Sequence, residues 1–300
     1  MVAPASKPAI RLAAITDEFS PDIDVALDAM QSVGMTGVEL RTSGGRNIVD
    51  LSDGDIRAIV AAAQRRQMEI VSIASPLLKC VLPGGPAVDS RFQQDVFGSP
   101  FTFEDQPRIT KRVFEITGLT GARLVRVFSF WRTVDPPACE EAIVAALRGL
   151  ADQASQYDVT IGLENEYACN VGTAGESARL LQRLPHPHLQ LIWDPANAFI
   201  LGETAYPDGY RLLPPERIAH VHVKDCVLDD GRAVWGAVGE MGIDWAGQIR
   251  ALREDGYGGW LSLETHWKGP SGDKLEASTT CGRRLGEMAS TPAAGKWSPS

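Results

Sequence analysis

The chain has 300 residues, 44% of them hydrophobic, and carries 29 basic against 38 acidic side chains for a formal net charge of −9. That apolar content can fill one core of barrel size, and an acidic balance with no basic stripe excludes nucleic acid and anionic membrane as expected partners. The opening MVAPASKPAIRLAAIT lacks signal-peptide regions, no run approaches about 18 apolar residues, and Cys80, Cys139, Cys169, Cys226 and Cys281 form no CxxC pair, so a cytoplasmic enzyme with reduced thiols is expected.

In chain order, an N-terminal extension (1–10) precedes a first strand candidate, RLAAIT from Arg11. PDIDVALDAMQSVG follows with apolar residues at helical spacing, starting after Ser20 and stopping at Gly34. TGVELR from Thr36 reads as the second strand, and SDGDIRAIVAAAQRRQ as a helix with Ser52 or Asp53 as its N-cap. EIVSIAS from Glu69 is the third strand. It leads into residues 75–107, dense in Pro and Gly yet carrying Phe92, Phe97, Phe101 and Phe103. Connections beyond about 15 residues are uncommon unless functional, and this one is too apolar for a disordered segment, so a folded lid or an oligomer contact is expected. RLVRVFSF from Arg123, VTIGLEN from Val159, LQLIWD from Leu189, IAHVHVKD from Ile218 and WLSLET from Trp260 bring the strand candidates to eight. Gly34, Gly121 and Gly256 each stand between a helix and the next strand, as such connections require. Short β-branched runs alternating with amphipathic stretches predict a single-domain (β/α)8 TIM barrel over 11–290, followed by a tail at 291–300. A doubly wound open sheet fits less well, because no GxGxxG follows the first strand.

Four of these strands end on a residue able to bind a divalent metal: Glu164 in IGLENE, Asp194 in LIWDPAN, His222 in HVHVKD and Glu264 in LSLETH. A lone acid at a strand end is more often a helix cap or a loop charge. Four at the same place in successive βα units, 30, 28 and 42 residues apart, predict convergence on one ion at the C-terminal mouth of the barrel. Three carboxylates and one imidazole suit Mn²⁺ first, with Mg²⁺, Co²⁺ or Zn²⁺ as alternatives; a structural zinc would usually recruit thiolates. Glu39, Arg41, Ser75, Arg126, Phe128, Lys224 and Asp225 close other strands at the same mouth. Arg126 and Lys224 suit a substrate oxygen, whereas Arg41 and Arg126 are read equally well as internal partners of Glu39, Glu164 or Glu166. His220 alternates with His222 one layer deeper and reads as a satisfied core histidine; His266 is a substrate contact or a loop histidine. Trp131, Phe128 and Phe130 offer an apolar wall or interlayer packing.

LENE, WDPAN, HVHVKD and LET resemble the four ligand-bearing strand ends of the sugar phosphate isomerase/epimerase superfamily, the xylose-isomerase-like barrels, over about Arg11 to Gly286. HVHVKD followed by VGEMGIDW is similar to the family's G-x-G-x-[IV]-[DN]-[WF] turn over the substrate, through Gly239, Glu240, Gly242, Asp244 and Trp245. The resemblance implies that Glu164, Asp194, His222 and Glu264 hold one divalent ion, and that Glu164 and Glu264 act as an acid/base pair on opposite faces of a sugar-like substrate. Many members carry His where this chain has Glu166 and Asn197; Asn197 hydrogen-bonds a hydroxyl but shuttles no proton. The implied activity is a metal-dependent isomerase or epimerase of a ketose or keto-sugar, abstracting a proton next to a carbonyl through a metal-stabilised enediolate. The alternative is a metal-dependent lyase or dehydratase, inosose-dehydratase-like or a keto-glycoside β-eliminase; a non-catalytic barrel is a third reading. No phosphate cradle is present, so an unphosphorylated sugar, cyclitol or oxidised glycoside is expected. A homo-oligomer is expected too, with an accessory subunit as the alternative.

Overall fold

Strands covered on both faces read as short apolar runs rather than as alternating patterns, and each such run here forms a strand. The computed structural model describes residues 10–93 and 99–291. Its barrel strands are β1 (Arg11–Ile15), β2 (Gly37–Leu40), β3 (Glu69–Leu77), β4 (Leu124–Val127), β5 (Thr160–Glu164), β6 (Leu189–Trp193), β7 (Ile218–Val223) and β8 (Trp260–Leu263). Between and after them run α1 (Ile23–Ser32), α2 (Asp53–Arg65), α3 (Gln106–Thr120), α4 (Glu140–Ser155), α5 (Ala174–Arg183), α6 (Pro195–Ile200), α7 (Trp245–Glu254) and α8 (Lys274–Ser290). The strands close in the order β1-β8-β7-β6-β5-β4-β3-β2, every pair parallel. This is the (β/α)8 barrel the sequence predicts. The 1–9 extension, Phe97 and residues 292–300 lie outside the described residues. Among those described, no helix is long and apolar enough to cross a membrane, and all five cysteines are free and buried.

Local chemistry sets the element ends. The Asp22 carboxylate accepts from the backbone N–H of Asp24 and Val25 and starts α1. At α2 the cap is Ser52, which exchanges hydrogen bonds with Asp55 in a reciprocal box. Gly34, Gly121 and Gly256 take φ of 79°, 77° and 77°, the left-handed turn out of a helix. The fourth strand is shorter than RLVRVFSF suggests, because Phe130 enters the left-handed region at φ 61° and turns the chain. Its neighbour Leu78, just past β3, does the same at φ 61°, and Phe130 N–H donates to Leu78 C=O at 2.9 Å. Two bulky residues in this conformation, side by side at the C-terminal mouth, mark a place where the surroundings enforce strain.

The described parts of the 75–107 insertion fold against the loop after β4. Val88 bridges Thr133, Asp89 N–H donates to the Arg132 carbonyl at 2.8 Å, Phe101 is buried, and the Phe103 ring lies 6.2 Å from Phe130. A second insertion, after β7, is an antiparallel hairpin pairing Cys226–Asp229 with Arg232–Trp235.

At the opposite end the barrel is plugged by Trp260, packed with Ala13 and Val71. Gly37 makes room for it: a Cβ there would sit 2.7 Å from both the Ala13 Cβ and the Trp260 ring. Overpacking of this kind costs roughly 1–3 kcal/mol. Gly37→Ala is expected to lower the thermal midpoint by several degrees with the circular dichroism of the folded barrel retained. An unchanged midpoint would mean that the barrel floor has slack.

Candidate metal centre and active-site cleft

Side chains alternate across a strand, so one set of alternate residues on each strand points into the barrel. From β2 and its end these are Glu39 and Arg41, from β4 Arg126, from β5 Glu164, from β7 and its end His220, His222 and Lys224, and from β8 and its end Ser262 and Glu264. Asp194 follows β6. Glu164, Asp194, His222 and Glu264 each present one ligand atom, and the four atoms all lie within 4.8 Å of one another.

The cluster is buried and its charges are interleaved. His222 Nδ1 stands 3.0 Å from Glu164 Oε1 and 3.3 Å from Glu264 Oε2. Lys224 Nζ lies 2.9 Å from Asp194 Oδ2 and 3.2 Å from Glu264 Oε2. Arg126 Nη1 reaches Glu164 Oε2 at 3.2 Å and Glu264 Oε1 at 3.4 Å, while Arg41 Nη1 donates to Glu264 Oε1 at 3.0 Å and its Nη2 pairs with Asp17 and Glu18. Both arginines are therefore internal charge partners, Arg126 of Glu164 and Glu264, and Arg41 of Asp17, Glu18 and Glu264. Burial alone would raise the Glu264 carboxyl, but Lys224 and His222 outweigh it and hold the group well below the usual carboxylate range. Burial would lower His222, yet the carboxylates of Glu164, Glu39 and Glu264 hold its imidazole well above its ordinary value. Asp194, buried and only partly compensated by Lys224, is pushed up to about 6.

The residues fit a hard divalent ion. Asp194 caps a helix and still faces the cluster: Oδ1 caps α6 by accepting from Ala196 and Asn197 N–H at 2.9 and 3.1 Å, while Oδ2 is turned to the cluster with the Lys224 ammonium 2.9 Å away. Glu164 Oε2 is likewise buried at the cluster, with Arg126 Nη1 3.2 Å away as its charge partner. Oxygen donors with one imidazole and no thiolate match Mn²⁺ or Mg²⁺ chemistry and also accommodate Zn²⁺.

Above the cluster opens a polar cleft of about 110 Å³, whose walls include Arg41, Lys79, Arg126, Glu166, Glu264 and His266. Of the four cluster residues, Glu264 is the one on the cleft wall; Glu164, Asp194 and His222 are fully buried behind it. Asn197 is also buried there, with Nδ2 3.4 Å from Glu164 Oε1 and Oδ1 without a hydrogen-bond donor. His266 rests edge-on against Trp235 of the hairpin at 4.7 Å. Phe128 lines the cleft and Trp131 stands beside it, their rings 4.6 and 5.6 Å from Lys79 Nζ, whereas Phe130 belongs to the core. His220 is a core histidine satisfied by Glu39, as its depth suggests.

Glu240 is the exception among the sequence-derived site residues. It is exposed and paired with Arg284 on α8. The reason is Asp225, whose carboxylate gathers the N–H groups of Cys226, Gly239, Met241 and Ile243 and so rolls the turn with Glu240 facing outward. Sequence reading also missed Lys79, which lies within an aperiodic insertion, and the depth of Glu39, which the alternation Glu39, Arg41 signals in the same way as His220, His222.

Because Arg126 bridges two buried carboxylates, Arg126→Ala leaves both facing each other with less compensation. Breaking a buried pair from one side costs roughly 3–5 kcal/mol, so denaturant unfolding in EDTA should show a loss of that order. A loss below about 1 kcal/mol would mean that Arg41 and Lys224 suffice.

The sequence profile of the xylose isomerase-like TIM barrel family matches residues 27–285. Among curated proteins none matches in sequence. Among solved structures, the IolI protein with a bound zinc atom superposes with a TM-score of 0.72 at 17% identity, covering 94% of this chain and 98% of that one. AsbF of Bacillus anthracis, described as a probable 3-DHS dehydratase, gives 0.69 at 16% identity over 92% and 98%. The Escherichia coli 3-keto-D-glucoside 4-epimerase YcjR gives 0.58 at 18% identity over 92% and 99%. The chain spans 42% of a fusion protein of this barrel with a 4-hydroxyphenylpyruvate dioxygenase.

Proposed function

This chain belongs to the xylose isomerase-like TIM barrel family, and from that premise we propose that it is a divalent-metal-dependent isomerase or epimerase of a ketose or keto-sugar, acting by proton transfer next to a carbonyl. The observation that carries this reading is the position of Glu264, at once part of a four-atom ligand cluster and on the wall of the cleft above it. An ion held by Glu164, Asp194, His222 and Glu264, with Mn²⁺ the first candidate, would supply Lewis acidity to a substrate carbonyl and its neighbouring hydroxyl.

The remaining chemistry falls to the chain's own residues. Glu264, kept ionised by Lys224, His222 and Arg126, accepts the proton from the carbon beside the carbonyl. Glu164 shares Arg126 with it and serves as the second acid/base group, taking up a proton from solvent and delivering it to the other face while Glu264 releases the abstracted proton to solvent. Arg126 and Lys224 donate to the substrate oxygen that gains negative charge, a role suited to preorganised buried cations. Asn197, with its side-chain oxygen unused, accepts from a substrate hydroxyl, and Glu166 and His266 contact hydroxyls from the cleft walls. Phe128 offers an apolar face to sugar C–H groups.

A metal-dependent lyase or dehydratase is the second reading. It is favoured by His266, an imidazole on the cleft wall from which a leaving hydroxyl can take a proton, and by AsbF, described as a probable 3-DHS dehydratase, among the structural neighbours.

Two outcomes are expected. Thermal melts should drop in EDTA and recover with Mn²⁺, by about 2.7 kcal/mol when the free ion is a hundredfold above its dissociation constant; indifference to every divalent ion tested would remove the basis of the mechanism. Solvent-deuterium incorporation into a panel of ketoses and keto-glycosides should fall by roughly 10²-fold or more in metal-loaded Glu264→Gln. Undiminished exchange in that variant would refute the role given to Glu264, and loss of a hydroxyl in place of exchange would select the lyase.

A further inference from the structure

One layer below the ligand cluster, Glu39, His220, His222 and Ser262 form a second polar group, every member buried. His222 is common to both layers. Its Nδ1 faces Glu164 and Glu264 at 3.0 and 3.3 Å, and its Nε2 faces Glu39 Oε2 and Oε1 at 3.2 and 3.4 Å. Glu39 is itself anchored from two other directions: Oε2 accepts from Ser262 Oγ at 2.7 Å and stands 3.1 Å from His220 Nε2. Strands β2, β7 and β8 thus meet at one carboxylate.

Either ring nitrogen of an imidazole can ligate a metal, and the one used is set by what the other is bonded to. A carboxylate behind the ring fixes its rotation, retains the proton on the far nitrogen and raises the basicity of the near one. We infer that Glu39 is the positioning residue of the metal centre, holding Nε2–H of His222 so that Nδ1 is the atom presented to the ion. The inference rests on the metal-dependent reading above. Glu39, His220 and His222 are also close enough to hold an ion among themselves. That would require His222 to ligate through both nitrogens at once, and the hydrogen-bond distances from Ser262 and His220 already occupy Glu39 Oε2. The lower group therefore fits a hydrogen-bonded support and not a second metal site.

The test uses Mn²⁺ titration calorimetry on the wild-type chain, Glu39→Ala and Glu39→Gln, with ¹⁵N spectra of the histidine side chains in the Zn²⁺-loaded proteins. Wild type should take up one ion per chain and show His222 ligated through Nδ1 with Nε2 protonated. Glu39→Ala should bind Mn²⁺ roughly 10–100-fold more weakly and lose the single ring form. Glu39→Gln keeps an acceptor oxygen for His222, His220 and Ser262 but no charge, so it should keep the ring form and weaken binding less; it also serves if the alanine variant does not fold. Unchanged Mn²⁺ affinity and an unchanged ring form in either folded variant would overturn the inference, leaving Glu39 a purely structural group. Two ions per wild-type chain, one of them lost in both variants, would overturn it differently by making Glu39 a ligand. A wild-type chain that binds no ion would overturn the metal reading itself and this inference with it, an outcome distinct from the other two.

Discussion

Mutual compensation of charge at the C-terminal mouth of the barrel is the constraint on which the rest of the structure depends. Glu39, Glu164, Asp194 and Glu264 are all buried there, and two like charges about 4 Å apart repel by roughly 4 kcal/mol at the effective dielectric of a protein. They coexist because Arg41, Arg126, Lys224 and His222 are threaded between them. Each of these cations is delivered by the same strand alternation that delivers the acids. A divalent ion fits into this arrangement by sharing carboxylates that already have partial partners.

The compensation also divides labour along the barrel axis. Trp260, Ala13 and Val71 close the floor, the layer of Glu39, His220 and Ser262 lies beneath His222, the candidate ligand atoms come next, and the cleft with Glu166, Glu264 and His266 opens above them. The two insertions shape that opening: the first contributes Lys79 and Ser99 to its walls, and the second props His266 with Trp235. Leu78 and Phe130, held in the left-handed region where the first insertion leaves the barrel, show that this rim is fixed by its surroundings rather than by local preference.

The barrel itself was legible in the sequence because buried parallel strands are written as compact apolar runs, and all eight lie where LAAI, GVEL, LVRV and their counterparts stand. The candidate metal cluster was legible for a related reason: a charged residue that ends such a run must sit at a barrel mouth, so Glu164, Asp194, His222 and Glu264 could be grouped without coordinates. Orientation within a turn was not. Glu240 lies in the expected segment, but its direction is decided by Asp225, fourteen and more residues earlier, gathering backbone N–H groups. The hairpin after β7 did carry a signal. Asp230 and Gly231 take φ of 46° and 72°, the pair that an Asp-Gly dipeptide between alternating residues favours in a two-residue hairpin turn. Lys79 had no such signal, because its place on the cleft wall follows from how a long aperiodic segment packs on Phe128 and Trp131.

The most direct test of the account is a crystal structure of the Mn²⁺-loaded protein with anomalous scattering data. The account predicts one anomalous peak bounded by carboxylate oxygens of Glu164, Asp194 and Glu264 and by Nδ1 of His222. A peak seated between Glu39, His220 and His222 instead, or no peak within the barrel at saturating Mn²⁺, would contradict it.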